Sequence, residues 1–136
     1  MNKLFLDSDV ILDLLTKREP FHLGSFFIFE KAERNELNLF ASSVCFTNMF
    51  YILRKSYTSV QVYNMLNKLI GLVNVLNVDS RIIHASLSSS FSDFEDAVQY
   101  FTAKENGMDV IITRNVKDYK HKDVPVMTPV EFLKII

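Results

Sequence analysis

The chain has 136 residues, of which 49% are hydrophobic and 12% aromatic, and this composition excludes a disordered protein and predicts one domain over residues 1–136. Its formal net charge of −1 excludes a bulk electrostatic attraction to nucleic acid, so any such binding must come from a local basic patch. The single cysteine, Cys45, excludes an internal disulfide and lies in an apolar run, which predicts a buried thiol in a reduced, cytoplasmic protein.

The first apolar run leads directly into two acids. Residues 4–15 read LFLDSDVILDLL, with Asp7 after three apolar residues and Asp9 two positions later. A buried carboxylate loses several kcal/mol of hydration unless other groups compensate for it. In parallel sheets, ligands bind beyond the carboxyl ends of the strands. The two acids are therefore expected to face a site and not the core.

The remaining apolar runs also lack polar alternation, which is typical of strands covered on both faces. The predicted strands are residues 4–6, 37–40, 72–78, 110–113 and 124–127. Helical spacing predicts helices over residues 9–17, 21–35, 43–55, 59–72, 81–88 and 92–106, and a short one from Pro129. Asp79 is predicted to cap the fifth helix, and Ser92 with Glu95 has the capping-box spacing for the sixth. This alternation predicts an α/β fold, a three-layer α/β/α sandwich with a mostly parallel central sheet.

Residues 37–53, LNLFASSVCFTNMFYIL, carry no charge and could in principle form a membrane span. The stretch is slightly short and contains several polar side chains, including Asn38 and Asn48. A strand followed by a buried helix explains it better, and we expect no membrane association. Asn48 itself lies among apolar side chains, so it serves either as a core hydrogen-bonding group or as a ligand facing a site.

Several acids are predicted within a few residues of a strand end or a helix start. They are Asp7, Asp9, Asp93, Asp96 and Asp118. Clustered carboxylates persist where a cation or a proton neutralises them, and Mg²⁺ prefers one or two carboxylates with waters and phosphate oxygens. Local roles stay open for three of them: Asp9 as a helix cap, and Asp93 and Asp96 as acids beside a helix N-terminus. No helix is predicted to have begun at Asp7, so a capping role does not explain it.

A basic run follows the fourth predicted strand, in the sequence TRNVKDYKHKD. Its cations could hold RNA phosphates, and they could equally be solvated side chains of a surface loop. The candidates are Arg114, Lys117 and Lys120, with His121 and Lys122 beside them.

Four segments in order, LFLDSDVILDLL, SSVCFTNMFYI, DFEDAVQYFTA and DVIITRNVKDY, resemble the PIN-domain family, and in particular its VapC-type toxin-like ribonucleases. The resemblance covers nearly the whole chain and implies a metal-dependent ribonuclease. It places the family's acidic positions at Asp7, Asn48, Asp96 and Asn115, with Asp9 and Asp118 beside them. Two of these positions are amides here, which implies weaker binding of a divalent metal.

The resemblance also implies a cofactor and partners. It implies Mg²⁺ or Mn²⁺ held by Asp7, Asp96 and Asp9, an RNA substrate, and a catalytic set of Asp7, Asp96, Asn48, Asn115 and Asp118. It further implies a small antitoxin protein and a homodimer. The chain has more aromatic side chains than its core requires. We expect the others to form an apolar contact surface, with Phe26, Phe27, Phe29, Phe50 and Tyr51 as examples.

Two other interpretations compete with this one. A PIN scaffold without catalysis would bind RNA or a protein partner. The stretch LFLDSDVIL also resembles the haloacid-dehalogenase-like phosphatases, with Asp7 as nucleophile and Asp9 as general acid and base. That chemistry needs a later lysine and a further acidic pair, and we expect the segment after Asn115 to be too short for them.

Overall fold

The structure, a computed structural model, describes residues 2–119 and 123–136. Within these residues the strands are β1 (Lys3–Leu6), β2 (Asn38–Ser42), β3 (Val73–Leu76), β4 (Val110–Ile112) and β5 (Val126–Met127). The helices are α1 (Ser8–Leu15), α2 (His22–Glu33), α3 (Ser43–Leu53), α4 (Ser59–Leu69), α5 (Ser80–Leu87), α6 (Phe94–Glu105) and α7 (Pro129–Ile135), and a 3-10 turn spans Val116–Asp118.

The strands form one parallel sheet in the order β3-β2-β1-β4-β5. β1 lies at its centre, with Leu4 opposite Leu39 of β2 and Val110 of β4. The predicted fold, an α/β sandwich with a parallel central sheet, is confirmed. Because all strands run the same way, the segments that follow β1, β2 and β4 leave the sheet at the same edge.

Helices cover both faces of this sheet, and the side chains of β1 divide between two hydrophobic clusters. Leu4 and Leu6 pack into the larger cluster with residues of α1, α2 and α3. Phe5 points the other way, into a cluster with Tyr100 of α6 and Ile111 of β4. This two-sided burial is the reason that the strands read as continuous apolar runs in the sequence.

The predicted strands and helices are all present in the described residues, with ends that differ by a few positions. The Asp79 side chain accepts a hydrogen bond from the Ile82 amide at 3.1 Å, so the predicted cap of α5 is confirmed. The predicted cap of α6 was wrong by one residue. Asp93, and not Ser92, is the N-cap, and its side chain accepts from the Asp96 amide at 3.1 Å. Asp93 thus has the local role that the sequence left open.

The apolar stretch over residues 37–53 forms a strand followed by a helix, as predicted: after its first residue come β2 and then α3. Among residues 2–119 and 123–136, no helix combines the length and the apolar character needed to cross a membrane. Cys45 is buried on α3, which confirms the predicted environment of its thiol. Burial raises the pKa of this thiol well above its ordinary value, so it stays protonated and unreactive.

The turn from α6 to β4 depends on one glycine. Gly107 has φ +65° and follows the C-cap residue Asn106. The Gly107 amide bonds the Lys104 carbonyl at 3.2 Å, and the Met108 amide bonds the Ala103 carbonyl at 3.1 Å. This pair of bonds is a Schellman motif, which ends the helix by placing one residue in the left-handed region.

We expect Gly107→Ala to lower the free energy of unfolding by about 1 kcal/mol, because a Cβ disfavours the left-handed conformation. An added Cβ would meet no atom within 4 Å, so the cost is conformational and not steric. Gly71→Ala is the matched control, since Gly71 does not have a positive φ. Urea denaturation of the three proteins measures the difference. Equal stability of the Gly107 and Gly71 variants would show that the left-handed conformation costs alanine nothing at this turn.

Candidate active site

Asp7 lies where β1 ends and α1 begins. Its side chain accepts a hydrogen bond from the Ser8 amide at 2.8 Å, and Asp7 is the N-cap of α1. No helix has begun at Asp7, as predicted, but the conclusion that a capping role does not explain this residue was wrong, because Asp7 follows β1 and caps α1. Asp9 lies in the first turn of α1 and is not its cap.

Two buried side chains from the segment after β4 donate hydrogen bonds to the same oxygen of Asp7. The Thr113 hydroxyl lies 3.0 Å and the Tyr119 hydroxyl 2.8 Å from Oδ2. Asp7 is 7% exposed, so these donors and the Ser8 amide replace much of the hydration that the carboxylate has lost. Burial and the Asp7 charge raise the pKa of Tyr119 well above its ordinary value, so its hydroxyl remains a donor. Thr113 and Tyr119 were not identified as site residues from the sequence.

Asp9 faces the same region and is less well compensated. Its Oδ2 accepts a hydrogen bond from Asn115 Nδ2 at 3.1 Å. Its Oδ1 is buried and has no hydrogen-bond partner within residues 2–119 and 123–136. Burial and the neighbouring Asp7 charge raise the pKa of Asp9 to about 7, although Arg114 acts in the opposite direction. Asp9 thus binds a proton, or another positive species, more readily than an ordinary aspartate.

The first turn of α6 brings further carboxylates to the site. Burial, followed by the charges of Asp7, Asp93, Asp118 and Glu95, raises the pKa of Asp96 to about 7. The pKa of Glu95 is raised as well, by burial and then by the charges of Asp7 and Asp93. Asp7 and Asp96, which are far apart in the sequence, therefore share one local electrostatic field.

Asn48 reaches this group of acids from α3. Its Nδ2 donates to Glu95 Oε2 at 3.1 Å. The amide is half-buried and bonds an acid of the site, which favours the site-facing interpretation over a role confined to the core. Glu95 was considered from the sequence only as part of a capping box, although the adjacent acids of the segment DFEDA were a signal for it.

A buried hydrogen bond sets α3 and α6 relative to the sheet. Ser42 is the last residue of β2 and caps α3 by accepting from the Cys45 amide at 3.1 Å. Its hydroxyl donates to Gln99 Oε1 of α6 at 2.5 Å. Ser42 and Gln99 are both buried, so this bond fixes the helix that carries Asn48 and the helix that carries Asp96 near one strand end.

The candidate cations of the basic run have different environments. Arg114 Nε lies 2.8 Å from Oδ2 of the buried Asp13, and its guanidinium lies 4.3 Å from the centre of the Phe21 ring. Arg114 is thus held by an ion pair that was not predicted from the sequence. Lys117 is exposed on the 3-10 turn, where Asp118 is also exposed. Lys120, with His121 and Lys122, lies outside the described residues.

The atoms at this site that could bind a metal ion are carboxylate, amide and hydroxyl oxygens, which suit a hard divalent cation. Among residues 2–119 and 123–136, no three Asp, Glu, His or Cys side chains are grouped closely enough to form a ligand set by themselves. An ion here would take one or two carboxylates and fill its other positions with water or phosphate oxygens, as Mg²⁺ commonly does. The unpartnered Oδ1 of Asp9 and the raised pKa values of Asp9 and Asp96 fit such an ion.

Comparison with known proteins gives a family and relatives. Residues 3–117 match the family of the PIN domain. The chain is 29% identical over 138 residues to Ribonuclease VapC1 of Aquifex aeolicus (strain VF5), covering 96% of this chain and 92% of the relative.

Solved structures share the fold. One is VapBC2 from Rickettsia felis bound to a DNA fragment from their promoter, with a TM-score of 0.69, 13% identity, and 90% of this chain and 96% of that chain covered. Another is a toxin–antitoxin complex from Klebsiella pneumoniae, with a TM-score of 0.66, 20% identity, and 93% and 97% covered. At these identities the structures support the fold alone.

The raised pKa of Asp96 predicts how stability depends on pH. Between its unfolded value and about 7 the folded protein binds the extra proton, so the free energy of unfolding of the metal-free protein falls as pH rises through this window. Because Asp96 is only partly buried, we expect its share of this fall to be about 1–2 kcal/mol. Asp96→Asn removes that share and stabilises the metal-free protein at pH 7.

Urea denaturation at several pH values between about 4 and 8 measures this effect. The matched control is Glu105→Gln, which removes a carboxylate from the other end of α6. A wild type and an Asp96→Asn variant with parallel stability curves would exclude a raised pKa of Asp96 in the folded protein.

The substitution Asn48→Asp tests whether the Asn48 side chain belongs to the acidic site or has a structural role only. The change replaces a donor to Glu95 with a second carboxylate about 3 Å away, so we expect the metal-free protein to lose about 1–3 kcal/mol of stability. With Mn²⁺ added, the extra charge should increase the metal-dependent rise in melting temperature above that of the wild type. Asn64→Asp on the exposed part of α4 adds the same charge away from the acids and is the control. A variant that is destabilised equally with and without Mn²⁺ would show that Asn48 is structural.

Proposed function

This chain belongs to the PIN-domain family, and we propose that it is a metal-dependent endoribonuclease, the toxin of a toxin–antitoxin pair. The observation that carries this proposal is the group of acids at the carboxyl edge of the sheet, where Asp7, Asp9 and Asp96 lie in one electrostatic field. The similarity to a ribonuclease over nearly the whole chain supports the same activity. The domain that acts is residues 1–136 as one unit.

In this proposal Asp7, Asp96 and Asp9 are the candidate ligands of one divalent cation, Mg²⁺ or Mn²⁺: one or two of them bind it directly, and the remaining carboxylate adds negative charge beside it. When bound, such an ion lowers the pKa of water and stabilises charge on a phosphodiester. Thr113 and Tyr119 keep Asp7 oriented by donating to its Oδ2. Asn115 orients Asp9 in the same way through its amide.

The other members of the proposed catalytic set position neighbouring side chains or add charge to the site. Asn48 fixes Glu95 at the mouth of the site, and Asp118 adds negative charge near Asp96. Lys117, which is exposed on the 3-10 turn, is proposed to hold an RNA phosphate. Arg114 supports the site by pairing with the buried Asp13, and its contact with an RNA phosphate stays a prediction.

The proposal includes partners and a location. A solved structure with this fold is a toxin–antitoxin complex, and we propose that this chain also binds a small antitoxin and acts on RNA in the cytoplasm. We further propose a homodimer. Phe26, Phe27 and Tyr51 are exposed as an apolar contact surface requires, whereas the expectation for Phe29 was wrong because it is buried in the core. Light scattering that finds only monomer at micromolar concentrations would contradict the dimer.

A second candidate function is a PIN scaffold that binds RNA or a protein without cleavage. The observation that favours it is the pairing of amides with acids, Asn48 with Glu95 and Asn115 with Asp9, where further carboxylates would strengthen metal binding. RNA binding without metal-dependent cleavage would support this candidate over the enzyme.

We expect Mg²⁺- or Mn²⁺-dependent cleavage of RNA to be lost, by at least about 100-fold in rate, in Asp7→Asn and Asp96→Asn, since each removes a proposed ligand. Gel analysis of a labelled RNA with metal, and with EDTA, measures this. Glu105→Gln removes a carboxylate from α6 outside the site and should cleave at the wild-type rate. Equal cleavage by all of the variants would show a contaminating nuclease and contradict the assignment.

A further inference from the structure

Three consecutive side chains of the segment after β4 contact three aspartates of the segment that follows β1. The pairs, with the distances between their contacting atoms, are Thr113–Asp7 at 3.0 Å, Arg114–Asp13 at 2.8 Å and Asn115–Asp9 at 3.1 Å. Two of these contacts hold acids that are candidate ligands of the proposed cation. The contact between Arg114 and Asp13 lies outside those acids, so its role has to be found elsewhere.

The Arg114–Asp13 pair lies one helical turn from the Asn115–Asp9 contact. Asp9 and Asp13 are four positions apart on α1, so they lie on the same face of that helix. Because Arg114 and Asn115 are neighbours in the chain, the ion pair fixes the position along α1 at which Asn115 meets Asp9. Asn115 precedes the 3-10 turn and Tyr119 follows it, so the position of Tyr119 depends on the same contact.

The two charged groups of the pair are enclosed. The Asp13 side chain is 2% exposed and the Arg114 side chain 22% exposed, and the guanidinium lies 4.3 Å from the centre of the Phe21 ring. The charge of Arg18 also acts on Asp13, but less than that of Arg114. A buried ion pair loses hydration that largely offsets its attraction, so it adds little to stability while it favours one arrangement of the chain. The pair is therefore better suited to fix a geometry than to stabilise the fold.

We propose that Asp13 and Arg114 are positioning residues of the cation site: their ion pair holds residues 113–119 against α1 and so keeps Asp7 and Asp9 oriented for a divalent cation. This inference rests on the proposed function, because it takes those two acids as candidate ligands. It assigns a role to Asp13, and it gives Arg114 a role that does not require contact with RNA.

Arg114 has two effects on cation binding, and they have opposite signs. Its positive charge acts on Asp9 and by itself opposes a second cation there. Its ion pair with Asp13 holds Thr113 and Asn115 in place and thereby favours binding. Removal of Arg114 separates the two effects, because loss of charge would strengthen cation binding whereas loss of positioning weakens it.

The first test measures Mn²⁺ binding without RNA, from the electron paramagnetic resonance signal of free Mn²⁺ during a titration. Arg114→Met should weaken binding about ten-fold, as is common when a group that orients a metal ligand is removed. Asp13→Asn, a nearly isosteric change at a residue that is 1% exposed, should also weaken it. Arg114→Lys keeps a cation for Asp13 and should bind Mn²⁺ more tightly than Arg114→Met. A Mn²⁺ affinity that is unchanged or higher in Arg114→Met would overturn the proposal.

A double variant tests whether the two residues act through their pair. Asp13→Asn combined with Arg114→Met should bind Mn²⁺ about as weakly as Arg114→Met, because the second change removes a partner that is already unpaired. Effects that add to about 100-fold would show two independent roles and overturn the proposal. Both side chains line a cavity of about 240 Å³ together with Phe21, so the unbranched methionine at position 114 has room.

Two control variants lose comparable contacts far from the acids. Arg34→Met removes an arginine whose Nη2 lies 3.4 Å from Glu30 Oε1 at the end of α2. Asp109→Asn changes a carboxylate that accepts from the Asn2 and Lys3 amides, where β1 and β4 begin. Both should bind Mn²⁺ like the wild type, whatever their melting temperatures. Equal weakening by test and control variants would show a general loosening of the fold and overturn the proposal.

Hydrogen–deuterium exchange of the metal-free protein shows directly whether residues 113–119 are held. The Asn115 amide donates to Thr113 Oγ1 and the Tyr119 amide to the Val116 carbonyl, each at 3.2 Å. These amides should exchange several-fold faster in Arg114→Met and in Asp13→Asn, while the amides of α4 keep their wild-type rates. The measurement needs no metal, and Asp13→Asn decides it where Arg114→Met does not fold. Unchanged exchange would overturn the proposal.

RNA binding separates this role from a phosphate contact and from the proposed function. Affinity for an RNA oligonucleotide is measured without metal at several salt concentrations. A salt dependence that falls by about one phosphate contact in Arg114→Met only, with Mn²⁺ binding intact in both variants, would overturn the positioning role and leave the ribonuclease proposal standing. Weakened Mn²⁺ binding by both variants of a protein that cleaves no RNA would support the pair and contradict the proposed ribonuclease activity.

Discussion

Repulsion between carboxylates at the carboxyl edge of the sheet is the constraint on which the rest of this structure depends. Asp7 follows the central strand and is almost fully buried, and its charge acts on Asp9, Glu95 and Asp96. Hydrogen bonds from Ser8, Thr113 and Tyr119 offset its lost hydration. Burial first, and the Asp7 charge second, raise the pKa values of Asp9 and Asp96. A fold that keeps such a group together is suited to bind positive charge at that place.

The amides of the site reduce this repulsion without removing polar contacts. Asn115 donates to Asp9 and Asn48 donates to Glu95, so each amide satisfies an oxygen that a further carboxylate would repel. This arrangement lowers the negative charge available to a cation, and it also lowers the cost of folding without one. The same two amides therefore connect the stability of the metal-free protein with the strength of the proposed metal binding.

Several residues have a local and a long-range role at once. Asp7 caps α1 and accepts bonds from the segment after β4, and Ser42 caps α3 and bonds Gln99 on α6. Arg114 pairs with Asp13 and so joins the site edge to α1 and to the cavity beside it. A change at one of these positions alters a helix end and the site together. The acidic site is consequently built from the same strand ends and helix starts that these contacts join.

The sequence by itself determined the elements, the fold class and the position of two acids directly after the central strand. Apolar runs and helix-capping residues act over a few positions, so strands, helices and the acids that follow β1 could be located without a structure. It did not determine which side chains meet. The contact between Asp7 and Thr113 joins residues 106 positions apart, and the Asn48 contact with Glu95 joins residues 47 apart. Such pairings depend on strand order and on how α3 and α6 pack against the sheet, and no local pattern encodes them. For that reason the contacts of Tyr119 and of the Asp13–Arg114 pair became visible only in the tertiary structure, where burial decides which charges need a partner.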